Sequence, residues 1–368
     1  MSKNLKDIVI TSALRTPIGR YNGMFKTKQA HELGSMVIKE IFKRTRIEPI
    51  NIDEIIFGQV LTGSTGQNPA RQAAIEANIP VEKTAYLINQ VCGSGLRAIV
   101  SGYQSILAND NEVVIAGGQE CMSVASEELM LKDGLTDAFN NYHMGITAEN
   151  VAEKWEITRE EQDKFALNSQ NKTQKAVKEN KFIEEIILNK KDEYPREGVS
   201  LEKLLELKPA FKENGTVTAG NSSGINDGAA AVLLMTRQTA EKKGLEPLAK
   251  IKSWATSGVE PSLMGSGPIP ASKKALNKAG WKIQDIDLVE ANEAFAAQSI
   301  AVMKDLNIPN DKFNVNGGAI ALGHPIGASG TRIVVTLIHE MNKRNVKKGL
   351  ATLCIGGGMG ISICIERD

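Results

Sequence analysis

The chain reads as two copies of one strand-and-helix unit, and that repeat narrows its fold more than any other feature. In the first copy Ile8-Val9-Ile10-Thr11 is a candidate buried strand, and Ala30 to Arg44 has helical apolar spacing at Leu33, Val37 and Ile41. Ile55-Ile56-Phe57-Gly58 reads as a strand and Ala70 to Ala77 as a helix. Beyond Cys92, residues Leu96, Ile99, Val100, Tyr103 and Leu107 mark one helix face, and Val113 to Gly118 is a strand ending in glycine. The second copy keeps the order. Ile286 to Glu290 resembles Ile52 to Ile56. Phe313-Asn314-Val315-Asn316, ahead of a helix from Gly327, parallels Tyr86-Leu87-Ile88-Asn89 ahead of Cys92. Leu350 to Gly357 parallels Val113 to Gly118, and Gly360 to Ile365 resembles Ala229 to Leu234. Strands separated by helices predict an α/β fold with a mostly parallel sheet covered by helices.

The repeat also exposes an insertion. If the copies match, Gly118 and Ala229 are near neighbours, as Gly358 and Gly360 are. The expected division is a first half over 1–121 and 226–246, an insertion over 122–225, and a second half over 247–368. The insertion is rich in Lys and Glu, with a helix from Arg159 to Asn180 and irregular stretches around Tyr194 to Gly198 and Thr218 to Gly224. Placed at the carboxyl ends of sheet strands, it would overhang the place where α/β proteins bind ligands.

Composition excludes several classes of function. A net charge of +1 gives no field for nucleic acid or an anionic membrane surface. No run is long enough to span a bilayer, and Met1 to Asp7 has no apolar signal core. The four Cys and four His show no zinc spacing. No metal, no disulfide and a reducing cytoplasm are expected.

Chemistry concentrates in three glycine-rich turns: Asn89-Gln90-Val91-Cys92-Gly93-Ser94-Gly95, Gly323-His324-Pro325-Ile326-Gly327 and Cys354-Ile355-Gly356-Gly357-Gly358. Cys92 precedes a helix, whose free N–H groups and dipole favour a thiolate. A nucleophilic thiol needs a base, and His324 stands at a second helix entrance. Cys354 offers a second proton-transfer group, although two reactive thiols also suit a redox pair. The N–H groups of Gly356 and Gly357 suit an oxyanion. Asn292 either holds a carbonyl oxygen or water, or caps a helix. His31 and His339 fall in helical patterns and are expected on solvated faces, whereas His143 can line a pocket.

Taken together, these motifs resemble the thiolase family, in its acetyl-CoA acetyltransferase branch. Arg15-Thr16-Pro17-Ile18-Gly19, Gly66 to Gln72, His143 to Glu149 and Asn226-Asp227-Gly228-Ala229-Ala230 carry the likeness along nearly the whole chain. The resemblance implies two duplicated α/β halves with mixed sheets and helices, and a loop domain inserted in the first. It implies a reversible Claisen condensation of two acetyl-CoA to acetoacetyl-CoA and CoA, ping-pong through an acetyl-cysteine. In that chemistry Cys92 matches the nucleophile, His324 the group that activates it, and Cys354 the base for the second acetyl-CoA. Asn292, through a water, and His324 match the enolate oxyanion site. The N–H groups of Cys92 and Gly356 match the site for the tetrahedral intermediate. Ser223 and His143 match positions near the pantetheine arm of CoA and Arg196 one near its nucleotide. Phe211, Met264 and Phe295 match apolar pocket positions, and Met144 lies where short-chain branches block longer acyl groups. No metal or redox cofactor is implied; coenzyme A thioesters are substrates.

The chain departs from the family pattern in two places, between Ser123 and Asp133 and between Ile187 and Asp192. Together they remove roughly two dozen residues, too many for loop-tip drift. Family tetramers join dimers through the first region, so a homodimer is expected rather than a tetramer. The rival readings are a thiolase of broader chain length, a ketoacyl synthase or hydroxymethylglutaryl-CoA synthase, and a non-catalytic CoA-binding paralogue. The second Cys, Cys354, argues against the two synthases, and the retained Cys92, His324 and Cys354 against the paralogue.

Overall fold

Strand β1 (Ile8–Arg15) shows how the molecule is layered. Ile8 and Ile10 point to one side of the sheet and Val9 to the other, and all are buried. The computed structural model describes residues 7–368, so the reading of Met1 to Lys6 lies outside the described residues. In chain order the first half continues with β2 (Gly19–Arg20), α1 (Ala30–Thr45), β3 (Glu54–Gly58), α2 (Pro69–Glu76), β4 (Thr84–Ile88), α3 (Ser94–Ala108) and β5 (Val113–Cys121). The insertion's main helices are α4 (Met144–Lys154) and α5 (Arg159–Lys178). Then follow β6 (Asn226–Thr236), β7 (Ala249–Gly258), α6 (Pro268–Ala279), β8 (Leu288–Ala291), α7 (Ala296–Leu306), α8 (Ile326–Arg344), β9 (Lys348–Ile355) and β10 (Met359–Glu366). Capping boxes start α1 and α5, at Gln29 with Glu32 and at Thr158 with Glu161.

One sheet runs through both halves in the order β4-β3-β5-β6-β1-β7-β10-β9-β8, with β2 on β6. The expectation of a mostly parallel sheet is corrected. Among the described strands only β3 with β4, β3 with β5, and β8 with β9 pair in parallel. The reason lies in the connections. A three-residue turn joins β9 to β10, which forces an antiparallel pair. In the first half the insertion leaves β5 and returns to β6 beside it, so it acts as a long hairpin loop rather than a crossover. Gly118 faces Ala230 and Gln119 faces Ala229, as the repeat required. The halves meet where β1 pairs with β7, at Val9 with Lys250 and Ile10 with Ala249. The copy is incomplete at one edge. Where the first half has β4, the second has a single bridge from Phe313 to Val289.

Both halves share one core. Val232, Leu234, Leu353 and Ile363 pack with Leu96 and Ile99 of α3 and with Ile333, Val334 and Leu337 of α8. Each such buried side chain stabilises the fold by about 1.5–3 kcal/mol. The outer faces are separate: α1 and α2 cover the first half, and α6 and α7 the second. Small residues let α3 and α8 touch backbone to backbone. A Cβ on Gly95 would lie 2.8 Å from the Gly327 carbonyl, and one on Gly330 2.5 Å from the Leu96 nitrogen. That contact brings the first turns of the two helices side by side.

The insertion leaves the first half but packs on the second. Val151 and Ala152 meet Ala297 and Ala301, and Ala166 meets Ala296 and Ile320. At the first shortened stretch a brief helix, Glu127–Leu129, runs into a wide turn over Met130–Leu135. At the second, Leu188 and Asn189 turn the chain with φ of 69° and 52°. Asp192 then grips Arg15 through two bonds of 2.6 and 3.0 Å. His31 and His339 are not on solvated faces. Both are half-buried, His31 against Glu76 and His339 with Nε2 donating to the Ala13 carbonyl at 2.8 Å.

Candidate active site

Cys92 sits on a strained turn between β4 and α3. Val91 has φ of 47°, a left-handed conformation that a β-branched residue adopts at a cost of about 1–3 kcal/mol. Neighbours hold it there. Asn89 Oδ1 accepts from the Val91 N–H at 3.0 Å. Ser94 Oγ donates to the Val91 carbonyl at 2.6 Å and accepts from the Gln90 N–H at 2.8 Å. The turn swings the thiol out of the sheet, half-buried, towards a cavity. Sequence alone favoured a thiolate there, and the structure reverses that. Burial pushes the Cys92 thiol up to about 11, outweighing hydrogen bonds from the N–H groups of Gly356 and of Cys92 itself. Cys92 rests as a neutral thiol.

His324 occupies the matching turn of the second half, before α8, and is almost fully buried. Gly323 leads into it with φ of 106°, and a Cβ there would lie 2.5 Å from Asn226 Cγ. Asn226 in turn accepts the His324 backbone N–H at 2.9 Å. Burial, then the Arg332 charge, lowers the imidazole pKa to about 4, so it rests neutral. Its Nδ1 lies 2.5 Å from Ser329 Oγ, and its Nε2 lies 3.4 Å from Asn292 Nδ2. Asn292 directly follows β8, and α7 starts later, at Ala296, with Phe295 before it, so Asn292 caps no helix. Its Oδ1 is buried with no hydrogen-bond partner among the described residues.

Cys354 lies near the end of β9, fully buried beside Met144, Met264 and Phe295. Burial, and then the nearby Cys92, push its thiol well above the ordinary cysteine range. The turn that follows carries Gly356 past the Cys92 sulfur. Gly357 and Gly358 close it with φ of 84° and 83°, conformations that suit glycine.

A cavity of about 490 Å³ joins these groups. Cys92, His324 and Gly356 line its floor, with Cys354 and Asn292 behind the wall. The insertion forms much of the rest. His143, Met144, Arg196, Phe211 and Ser223 all line it, as do Met264 and Phe295 from the second half. His143 stacks on Phe211 with ring centres 4.6 Å apart, and Phe211 meets Phe295 edge-on at 6.2 Å. His143 Nδ1 accepts the Gly145 N–H at 3.0 Å, which starts α4 beside the cavity. Arg196 stands towards the mouth, 5.3 Å over the Tyr194 ring, with Arg20 and Tyr21 also there.

Sequence reasoning passed over three residues that hold this site. Ser329 and Asn226 flank His324, and Asn226 lay within a quoted motif without being given a role. Glu120 is buried where β5 ends. It accepts from the N–H groups of Val60 at 2.9 Å, Leu61 at 3.2 Å and Gly327 at 3.0 Å, tying α8 to the first half. Burial raises its pKa to about 7. A carboxyl two residues after Gly118 in a buried strand was the signal available.

Comparison with known proteins agrees with this geometry. The sequence matches the thiolase N-terminal domain over residues 8–238 and the thiolase C-terminal domain over residues 245–367. It is 56% identical to an acetyl-CoA acetyltransferase of Rhizobium meliloti (strain 1021), over 98% of each chain. That alignment runs to 387 positions, more than this chain has, so the relative carries residues with no counterpart here. The crystal structure of the Bacillus anthracis acetyl-CoA acetyltransferase superposes with a TM-score of 0.94 at 42% identity, covering 99% of this chain and 100% of that one. A human mitochondrial 3-ketoacyl-CoA thiolase superposes with a TM-score of 0.94 at 40% identity, covering 98% of this chain and 99% of that one. Matches that span both halves at such identity leave one assignment: the chain belongs to the thiolase family.

Proposed function

We propose that this protein is an acetyl-CoA C-acetyltransferase, joining two acetyl-CoA into acetoacetyl-CoA and CoA and running the reverse thiolysis. The observation that carries this is one cavity holding Cys92, His324 and Gly356, with Cys354 beside Met144 at its base. In thiolysis, the Cys92 sulfur attacks the 3-keto carbon as its proton passes to His324. The N–H groups of Cys92 and Gly356 hold the oxyanion. The carbon–carbon bond then breaks, leaving acetyl-Cys92 and the enolate of acetyl-CoA. Asn292, through a water, and His324 steady that enolate. Cys354, a thiol at rest, protonates it and becomes the base that takes the proton of an incoming CoA thiol. The CoA sulfur attacks acetyl-Cys92, and the released Cys92 sulfur recovers its proton from His324. Condensation is these steps reversed. No step calls for a metal or redox cofactor.

His143, Phe211 and Ser223 suit the pantetheine arm, and Arg196 the anionic nucleotide. Met144, Met264 and Phe295 close the inner end, which favours an acetyl group over longer chains. A reaction needing two free thiols fits a reducing cytoplasm, and among the described residues no helix is long and apolar enough to cross a membrane. We further propose a homodimer. Among the described residues β4 pairs with β3 alone and leaves its other edge open, with Tyr86 exposed. The shortened stretch before Asp133 removes the family's usual tetramer contact. Loss of acetoacetyl-CoA absorbance on adding CoA tests the activity. Wild type is expected to turn over and Cys92→Ala to lose at least about 10⁴-fold. A wild type inert with acetoacetyl-CoA overturns the reading. Faster turnover of longer 3-ketoacyl-CoAs overturns the acetyl preference, and a stable tetramer in light scattering overturns the dimer.

A further inference from the structure

We propose that Ser329 is a positioning residue for acyl transfer, fixing His324 in the tautomer that leaves Nε2 free to take the Cys92 proton. The inference rests on the thiolase reading above. Its physical basis is a chain of donors with one consistent direction. Ser329 is buried one turn into α8, and its Oγ donates back to the Pro325 carbonyl at 2.9 Å. A serine hydroxyl has one proton, so with that proton committed Oγ faces His324 Nδ1 as an acceptor, at 2.5 Å. Nδ1 therefore carries the hydrogen. At the opposite corner of the ring, Asn292 Nδ2 lies 3.4 Å from Nε2 and has only hydrogens to offer. Both neighbours select the same state: Nδ1–H with Nε2 bare. The opposite tautomer would set two donors against each other at Asn292.

The kind of partner matters as much as its place. A carboxylate on Nδ1 would stabilise the imidazolium and keep the proton after acyl transfer. A hydroxyl orients the ring and adds no charge, so His324 returns the proton readily when the Cys92 sulfur is released. That fits an imidazole held neutral by burial. The two helix entrances also use serine alike. Ser94, two residues after Cys92, braces the thiol turn through Gln90 and Val91, and Ser329, five after His324, braces the imidazole.

The test begins with the resting protein. The chain has four histidines, so ¹⁵N-histidine spectra hold four imidazoles, and the signal lost in His324→Asn identifies the one in question. Wild type is expected to show protonated Nδ1 and bare Nε2. Finding Nε2 protonated instead overturns the proposal, with no variant needed and whatever the protein's activity. In Ser329→Ala, the tautomers should mix, and single-turnover acetylation of Cys92 should slow by about 10- to 100-fold. The affinity for acetyl-CoA should stay within about twofold, since the hydroxyl faces the imidazole and not the ligand. Ser329→Thr, which keeps the oxygen, should recover the wild-type tautomer. A Ser329→Ala protein with the wild-type tautomer and acetylation rate would sink the idea. A wild type that never acetylates Cys92 would sink the thiolase reading, while leaving the tautomer result to stand or fall by itself.

Discussion

Corresponding helix entrances in the two halves of this molecule are put to opposite uses. In the first half the entrance strains Val91, half-exposes Cys92 and opens on a cavity. In the second it buries His324 behind Asn226, Asn292 and Ser329. The connections beyond differ in the same sense. From β5 to β6 the chain makes a long excursion through the insertion; from β9 to β10 it needs three residues. On the proposed reading, the half with the long excursion supplies the nucleophile, and the compact half supplies the proton-handling groups. Duplication gave two equivalent helix entrances, and burial made them unequal. A buried imidazole loses basicity and a buried thiol loses acidity, so neither group is charged at rest.

The largest test of this asymmetry is Cys354→Ser. Removing the second proton-transfer group should slow condensation and thiolysis by about 10³-fold. Acetylation of Cys92 from acetyl-CoA should slow less than condensation: Cys354 hands the departing CoA its proton, but the Cys92–His324 pair is untouched and a CoA thiolate can leave unprotonated. Loss of both together would mean the two thiols act as one unit. Next come the glycines beside the two reactive groups. Gly323→Ala meets both a positive φ and the Asn226 side chain, and should cost about 2–4 kcal/mol in urea unfolding. Gly93→Ala has an ordinary φ of −77° and meets the movable end of Ile355, so about 1–2 kcal/mol is expected. Equal losses would show the two turns to be equally constrained. The smallest effect is an expected absence of change. With Cys92 a thiol up to about 11 and His324 neutral above about 4, the acetylation rate should be flat from roughly pH 5 to 9. An ordinary cysteine would give a rising limb near 8.5. An inflection near 7 that vanishes in Glu120→Gln would identify the Glu120 carboxyl, which burial raises into that range.

Much of this was legible in the residues. Glycine after a strand marks a place where backbone N–H groups stay free, and that picked out Cys92, His324 and Gly356 before any contact was known. Repeated order located the insertion between β5 and β6. What was not legible depends on distant segments meeting. The Cys92 thiol is raised because burial outweighs the Gly356 N–H, and part of that packing comes from the second half, whose Ile355 lies against the same turn; no local pattern around Cys92 encodes it. The antiparallel returns of β6 and β10 were hidden because alternating strands and helices also describe a parallel sheet. Glu120 and Ser329 act through neighbours from other elements or a turn away, and a lone polar residue in an apolar run carries no mark of its partner. His31 and His339 misled for the same reason: helical spacing gives a face, not what lies against it.

The seam between β1 and β7 has a consequence for how the protein is made. β1 leaves the ribosome ahead of the other described strands, yet it lies mid-sheet, and its partners begin only at Asn226 and Ala249. At ordinary elongation rates that is a wait of roughly 10–40 s with Ile8, Val9 and Ile10 uncovered. The parallel unit of β3, β4 and β5 can form meanwhile from local contacts. Translation that pauses inside the insertion would hold an unpaired apolar strand in the open, where chaperones or aggregation compete for it.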